Sequence, residues 1–461
     1  MQLLTWLWVI VAVVLLFGAA IFVHEFGHFL VARWRGLKVE GFSIGFGPKI
    51  FGWKRDGIDY AWRWIPAGGY VKLPQMMTSD TIEGKSEGAE SLPPISPLSK
   101  ILVSIAGPVM NAVFAFVLAT VIFLVGLPVR VDPPIIGAVE PGSPEAKLGL
   151  RAGDRIINVN GKAVNSWEDA QMAAAFATTQ VVPVTVEREG ARTTYSLPTK
   201  VNDELGIKLL NLEPMMHPVI QSVKAGTAAE AGGLKKGDEV LSFAGVPIAG
   251  EEQFIKLIRK RPGQASEIEV LRNQQRLKLT VTPKEDPVKK AGFLGAEIGP
   301  DLTSVYQLQW PGPPPWKLVA GECQKTFDVI GALFHSKQTG VGVGDLSGPP
   351  GILAGLAAQL KADFRLGLQF MVLLNISLAI LNLLPLPVLD GGHIAMALLE
   401  ALRGRPLSPR IQEYASTVFA VLLISFMLYV SYNDVVKRFP LFRSMFSQQV
   451  QIESGTNATS R

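Results

Sequence analysis

No charged side chain lies between Thr5 and Ile21, and the chain stays apolar as far as Val31 except at His24-Glu25-Phe26-Gly27-His28. As a helix, with ~1.5 Å of rise per residue, such a run is long enough to cross a bilayer with some tilt. Lipid offers no water to ionisable groups, so such groups inside a span mark a functional site by default. His24 and His28 stand four residues apart, on one face of a helix. That spacing suits two ligands of one zinc ion. Glu25 lies beside His24, placed to accept a proton from water attacking at the metal. A signal peptide would also be apolar, but this run is too long and lacks a basic n-region.

Three further apolar runs follow: Ile101 to Leu127, Leu366 to Leu384 and Ala415 to Val430. The third of the four runs ends in Pro385-Leu386-Pro387, which must break or extend its end. Basic residues crowd the loop after the first run (Arg33, Arg35, Lys38, Lys49, Lys54, Arg55, Arg63, Lys72) and the loop before the last (Arg403, Arg405, Arg410). The positive-inside rule then puts both loops in the cytoplasm, and residues 128–365 and the tail outside it. His24 falls nearer the cytoplasmic end of its helix. With 461 residues, 48% of them hydrophobic, the chain fits a membrane protein carrying a large aqueous part. A net charge of +5 is no nucleic-acid signature, and the single cysteine, Cys323, excludes an intramolecular disulfide.

The aqueous part contains a duplication. Gly149-Leu150-Arg151-Ala152-Gly153-Asp154 is matched 84 residues later by Gly233-Leu234-Lys235-Lys236-Gly237-Asp238. Each copy has strands around a helix, with turns expected at Arg188-Glu189-Gly190 and at Arg272-Asn273-Gln274. The copies resemble the permuted PDZ domain of bacteria. The resemblance implies a carboxylate-binding, peptide-capturing loop at Leu205-Gly206-Ile207 for the second copy, and a poorer one at Gly126-Leu127-Pro128 for the first. Between the first two apolar runs, residues 41–72 read as a β-hairpin at the membrane interface, turning at Asp56-Gly57. A Pro-rich junction, Pro311 to Trp316, precedes an interfacial amphipathic helix over roughly residues 316–335.

A catalytic zinc usually takes three protein ligands. The candidate third ligand is Asp390, in the stretch Asn382 to Gly392, where two prolines can turn a carboxylate back toward the membrane. Gly391 and Gly392 permit close backbone approach. Read alone, Asp390 could instead cap a helix. His393 is a weaker candidate.

Taken in order, H-E-F-G-H, Gly107-Pro108-x-x-Asn111, the tandem PDZ-like copies and Asn382-Leu-Leu-Pro-Leu-Pro-Val-Leu-Asp-Gly-Gly392 resemble the bacterial site-2 proteases. These are intramembrane zinc metalloproteases of the regulator-of-sigma-E type. The resemblance implies His24, His28 and Asp390 as zinc ligands and Glu25 as general base. It links Asn111 and Asn382 to substrate binding, and Pro385 and Pro387 to the substrate path. It implies an edge strand in residues 41–72 that holds the substrate extended by β-augmentation.

The expected architecture is a polytopic α-helical membrane protein with four transmembrane helices, a membrane-associated β-hairpin and two inserted extracytoplasmic PDZ-like α+β domains. Its divisions are 1–127, 128–200, 201–285, a linker with amphipathic helices at 286–365, and 366–461. The expected home is the bacterial inner membrane. Implied substrates are single-pass membrane proteins already cut once outside, such as anti-sigma factors and signal-peptide remnants. A non-catalytic PDZ scaffold is the rival, and loss of His24, Glu25, His28 or Asp390 would have favoured it. A metal site used for transport or sensing fits four helices and large aqueous domains poorly.

Overall fold

A computed structural model describes residues 2–76, 92–93, 95–130, 132–139, 142–201, 207–273, 275–285, 291–299, 303–405, 408–437 and 449–453. Four helices in it are long and apolar enough to cross a membrane: Leu4–Trp34, Pro97–Val125, Phe364–Asn382 and Arg410–Val436. The second starts with Ser96 as N-cap, its hydroxyl accepting from Ser99 N–H, and Pro97 in the first turn. Arg35 at the end of the first helix donates to the Ser99 hydroxyl over 3.0–3.1 Å, tying the two helix ends together. Two turns in from the end of the first helix, the two helices approach closely at Gly27. A β-carbon on Gly27 would lie 2.5 Å from the Ala106 carbonyl oxygen.

The first three long helices share one apolar core, with Val9, Ala115, Ile122, Met371 and Val372 buried. Helices Pro315–Phe334 and Pro349–Ala362 complete it through Leu318 and Leu360. The first of these is the helix expected near 316–335. It is not merely laid on the surface, since Thr326 and Ser377 of the third long helix meet hydroxyl to hydroxyl at 3.0 Å. The fourth long helix faces outward along most of its length. In its last turn the buried Asp434 carboxylate accepts the N–H groups of Gly348 and Gly351, capping the Pro349–Ala362 helix.

The hairpin expected at 41–72 is present, and Asp56 (φ 51°) and Gly57 (φ 79°) make its tight turn. It is part of something larger. The segment doubles back, so that Gly41 to Ile44 pairs with Asp59 to Trp62 on one side and with Gly69 to Lys72 on the other. The second pairing places a strand edge beside the first helix.

The first globular unit has a sheet ordered Lys162–Ala163, Arg155–Val159, Val181–Arg188, Ala191–Val201, Lys208–Leu210. Its helix, Trp167–Ala175, opens with a capping box of Ser166 and Asp169. The second unit's sheet runs Gln275–Val281, Ser266–Arg272, Glu239–Phe243, Val219–Val223, Ala296–Gly299. Phe254, on its helix Glu251–Arg259, packs edge-on against Phe243 at 5.5 Å.

The duplication is visible atom by atom. Arg188 grips the buried Asp154 with two nitrogens and donates to Gly149 O. Arg272 grips Asp238 and donates to Gly233 O in the same way, 84 positions on.

Strand pairing corrects the expected assignment of the carboxylate-binding loop. Leu205 and Gly206 lie outside the described residues, but the strand after Ile207, Lys208–Leu210, pairs with Ala191–Val201 of the first unit. Glu213–Pro214 likewise pairs with Ile136–Ala138 of that unit. The second unit is closed instead by Ala296–Gly299, which pairs with Val219–Val223. Lys208–Leu210 therefore closes the first unit and Ala296–Gly299 the second. Nor does Leu127 serve the first unit. Leu127–Arg130 joins a separate sheet, antiparallel to Thr303–Gln309, whose other side pairs in parallel with Gln449–Glu453. The end of the second helix, the exit from the second unit and the tail thus lie on one side of the helix bundle.

Candidate active site

Three side chains converge where the first and second long helices cross. His24 Nε2 and His28 Nε2 are 3.2 Å apart, as one helical turn dictates. Each lies 3.3 Å from a different oxygen of Asp390. Asp390 arrives from 362 positions beyond His28 because the third long helix stops at Asn382 and the chain turns through Pro385 and Pro387. It occupies the first turn of the next helix, Asp390–Arg403, whose N-cap is Leu389, so Asp390 is not that helix's cap. The turn is tight enough to exclude side chains. A β-carbon on Gly391 would meet the Leu383 and Leu384 carbonyls at 2.3 Å, and one on Gly392 the Leu386 carbonyl at 2.1 Å.

The residues fit a zinc ion. Two imidazole nitrogens and one carboxylate oxygen, all mutually within 4.8 Å, make up the set of three protein ligands that a catalytic zinc would take. Among the described residues no other cluster of this kind occurs. His393 is not in it. That ring lies farther along the Asp390 helix, in a small polar cavity with Lys100, Glu400 and Gln412.

The second helix makes room for the site at Gly107. A β-carbon on Gly107 would lie 2.3 Å from His28 Nε2, so only glycine lets this helix pass the two rings. Val103 O, one turn earlier, accepts the His28 Nδ1–H at 2.7 Å. A carbonyl can only accept, so this bond leaves Nε2 with its lone pair free for a metal. Asn111, one turn later and buried, touches His24 Nδ1 at 3.2 Å.

Glu25 is buried on the hairpin side of the first helix. A β-carbon on Gly69 would lie 2.8 Å from Glu25 Cγ, so the returning strand runs directly past this carboxylate. Asn382 is half-buried at the last turn of its helix, with Pro385 exposed and Pro387 half-buried just beyond. Sequence reasoning missed the Val103 carbonyl and the Gly69 contact. The first is a backbone atom with no residue signature. The second had a signal in Gly68-Gly69, a break in side chains within a strand.

Residues 12–426 match the pattern of Peptidase family M50. This chain belongs to that family. It is a zinc metalloprotease. Among curated relatives, Protease RseP of Yersinia pestis is 31% identical, covering 93% of this chain and 98% of its own. The regulator of sigma-E protease RseP of Escherichia coli is 30% identical over 94% and 99%. A putative zinc metalloprotease of Vibrio cholerae is 30% identical over 94% and 99%. The similarity to these proteins covers 93–94% of the chain.

Proposed function

We propose that this M50 peptidase hydrolyses single-pass membrane proteins within or beside their spanning helix, at a zinc held by His24, His28 and Asp390. The supporting observation is the placement of that cluster at the crossing of two apolar helices, with Glu25 and a strand edge alongside. Zinc, when bound, polarises the scissile carbonyl and makes water acidic enough to attack near neutral pH. Glu25 takes the proton from the attacking water and delivers it to the leaving amine. Its burial between helix and strand keeps bulk water away from the proton in transit.

A substrate helix has its peptide groups bonded internally, so it must unwind first. The strand edge at Gly69 to Lys72 is paired on one side with Gly41 to Ile44. The other side gives an extended substrate backbone donors and acceptors in place of its own. Asn382, Pro385 and Pro387 line the approach at the end of the third long helix.

The 41–72 sheet lies on the cytoplasmic side of an inner membrane and the two globular units outside, a reading supported by the basic residues of the loops after the first and before the fourth long helix. The units are PDZ-like and act mainly as a size filter, admitting proteins already trimmed by a first cut. Anti-sigma factors and signal-peptide remnants have that form. Peptide capture is secondary. Its groove in the second unit is a cavity of about 190 Å³ between helix Glu251–Arg259 and strand Ala296–Gly299.

Purified protein and a labelled transmembrane peptide test the reading. Cleavage should require zinc, stop with a chelator and return on zinc addition. Binding of the peptide without any cleavage by zinc-loaded protein would favour the non-catalytic scaffold.

A further inference from the structure

The two histidines of the site are held from behind in different ways, and the difference carries an inference. The His28 Nδ1–H is fixed by the Val103 carbonyl 2.7 Å away. The Nδ1 of His24 instead faces the amide nitrogen of Asn111 at 3.2 Å. An amide nitrogen only donates. In that orientation Nδ1 must be the acceptor, and the ring proton sits on Nε2. That is the atom facing His28 and Asp390, and a protonated Nε2 cannot ligate.

The same orientation leaves a second fault. Asn111 is 1% exposed, and its Oδ1 has no hydrogen-bond partner among the described residues. An unpaired buried carbonyl costs about 1–3 kcal/mol. One rotation of the amide by 180° pairs Oδ1 and removes the tautomer conflict, with the amide nitrogen taking the unpartnered position instead. It places Oδ1 against Nδ1, where it accepts the ring N–H, and frees the His24 Nε2 lone pair. Nitrogen and oxygen of an amide occupy nearly the same space, so nothing else need move.

We infer that Asn111 is the positioning residue of His24. Its Oδ1 does for His24 what the Val103 carbonyl does for His28, selecting the tautomer and fixing the ring plane for the metal. Three residues of the second helix then serve the two rings: Val103 accepts from one, Gly107 makes room for both, and Asn111 accepts from the other. Spaced four apart, they occupy one face of that helix. The role differs from the substrate contact implied by resemblance. It acts on metal affinity in the absence of any substrate.

The inference rests on the zinc reading above, and the test separates the two. Full-length protein in detergent is titrated with a chromophoric zinc chelator, and its cobalt form is recorded by visible absorption. Asn111→Ala should weaken zinc binding about 10–100-fold. Asn111→Asp, whose carboxylate accepts the same N–H, should keep zinc affinity within a few fold of wild type or tighter. The cobalt spectrum should shift in the alanine variant and be restored in the aspartate one. Wild-type zinc affinity in Asn111→Ala would overturn the inference, as would equal loss in both variants, which would indicate only packing. His24→Ala is the control for the parent reading. If that variant retains zinc, the ligand set itself is wrong, whatever Asn111 does.

Discussion

Gly107 and His28 are fitted so closely that a single added carbon would collide, 2.3 Å from the ring nitrogen that faces Asp390. Gly107→Ala should therefore displace the imidazole rather than perturb the helix, since alanine is the better helix former. We expect little change in thermal stability, substantial loss of zinc from purified protein, and cleavage reduced at least ~10²-fold, as misplacement by about 1 Å can cost. Metal analysis beside a melting curve checks it. A fully zinc-loaded, active Gly107→Ala would show that the two helices are not locked at this crossing.

Glu25→Gln should keep both zinc and fold while losing ~10²–10⁴ in rate, the usual contribution of a general acid–base group. Glutamine fills the same space beside Gly69 but cannot take a proton. Single-turnover cleavage at matched zinc content is the measurement. Wild-type rates would remove Glu25 from the proton path.

Asp154 gives the first globular unit a pH dependence. Burial favours its neutral carboxyl, but Arg188 and the Arg151 N–H outweigh this and hold it below the usual carboxylate range. A depressed folded pKa means that the stabilisation is complete above the unfolded value of ~4 and is lost as pH falls through the folded one. Amide protection in residues 155–201 of the whole protein should hold from pH 7 to about 5 and fall at lower pH. Arg188→Leu leaves the carboxylate buried alone and should destabilise this unit near neutrality. That cost should shrink at pH 3, where Asp154 is neutral. A penalty independent of pH would show that Arg188 acts by packing alone.

The filter role can be tested by excision. Leu127–Arg130 and Thr303–Gln309 are antiparallel neighbours, with Arg130 opposite Tyr306. Both units are thus inserted between two adjacent strands, and a short linker can replace residues 132–302. The shortened enzyme should cut substrates with intact ectodomains that the full chain ignores, and trimmed substrates at rates within a few fold. Unchanged selectivity would contradict the filter.

Much of the site was legible in the sequence because chemistry forced rare residues into unfavourable places. Packing alone does not put two histidines and a glutamate inside an apolar run, or an aspartate behind two prolines at the end of another. The duplication was legible because Gly-Asp turns repeat at a fixed interval. The Arg188–Asp154 and Arg272–Asp238 clamps then fell at equivalent places. What stayed hidden depends on pairing between distant or polar-neutral segments. Nothing local says that Gly69 returns to pair with Ile44, or that Gln449–Glu453 pairs with Thr303 to Gln307. The Leu205-Gly206-Ile207 segment lies between the two copies, so its position alone did not say which one it closes. Backbone ligands such as the Val103 carbonyl leave no trace in side-chain identity.

Hydrolysis inside the apolar span, at a metal held by this helix crossing, would leave its mark on the products. Mass spectrometry of the products from a single-pass substrate co-reconstituted in liposomes tests it most directly. A new terminus is expected within the substrate's spanning segment, absent with chelator and absent in Asp390→Ala. A cut confined to the aqueous flank, or one that persists in Asp390→Ala, would contradict it.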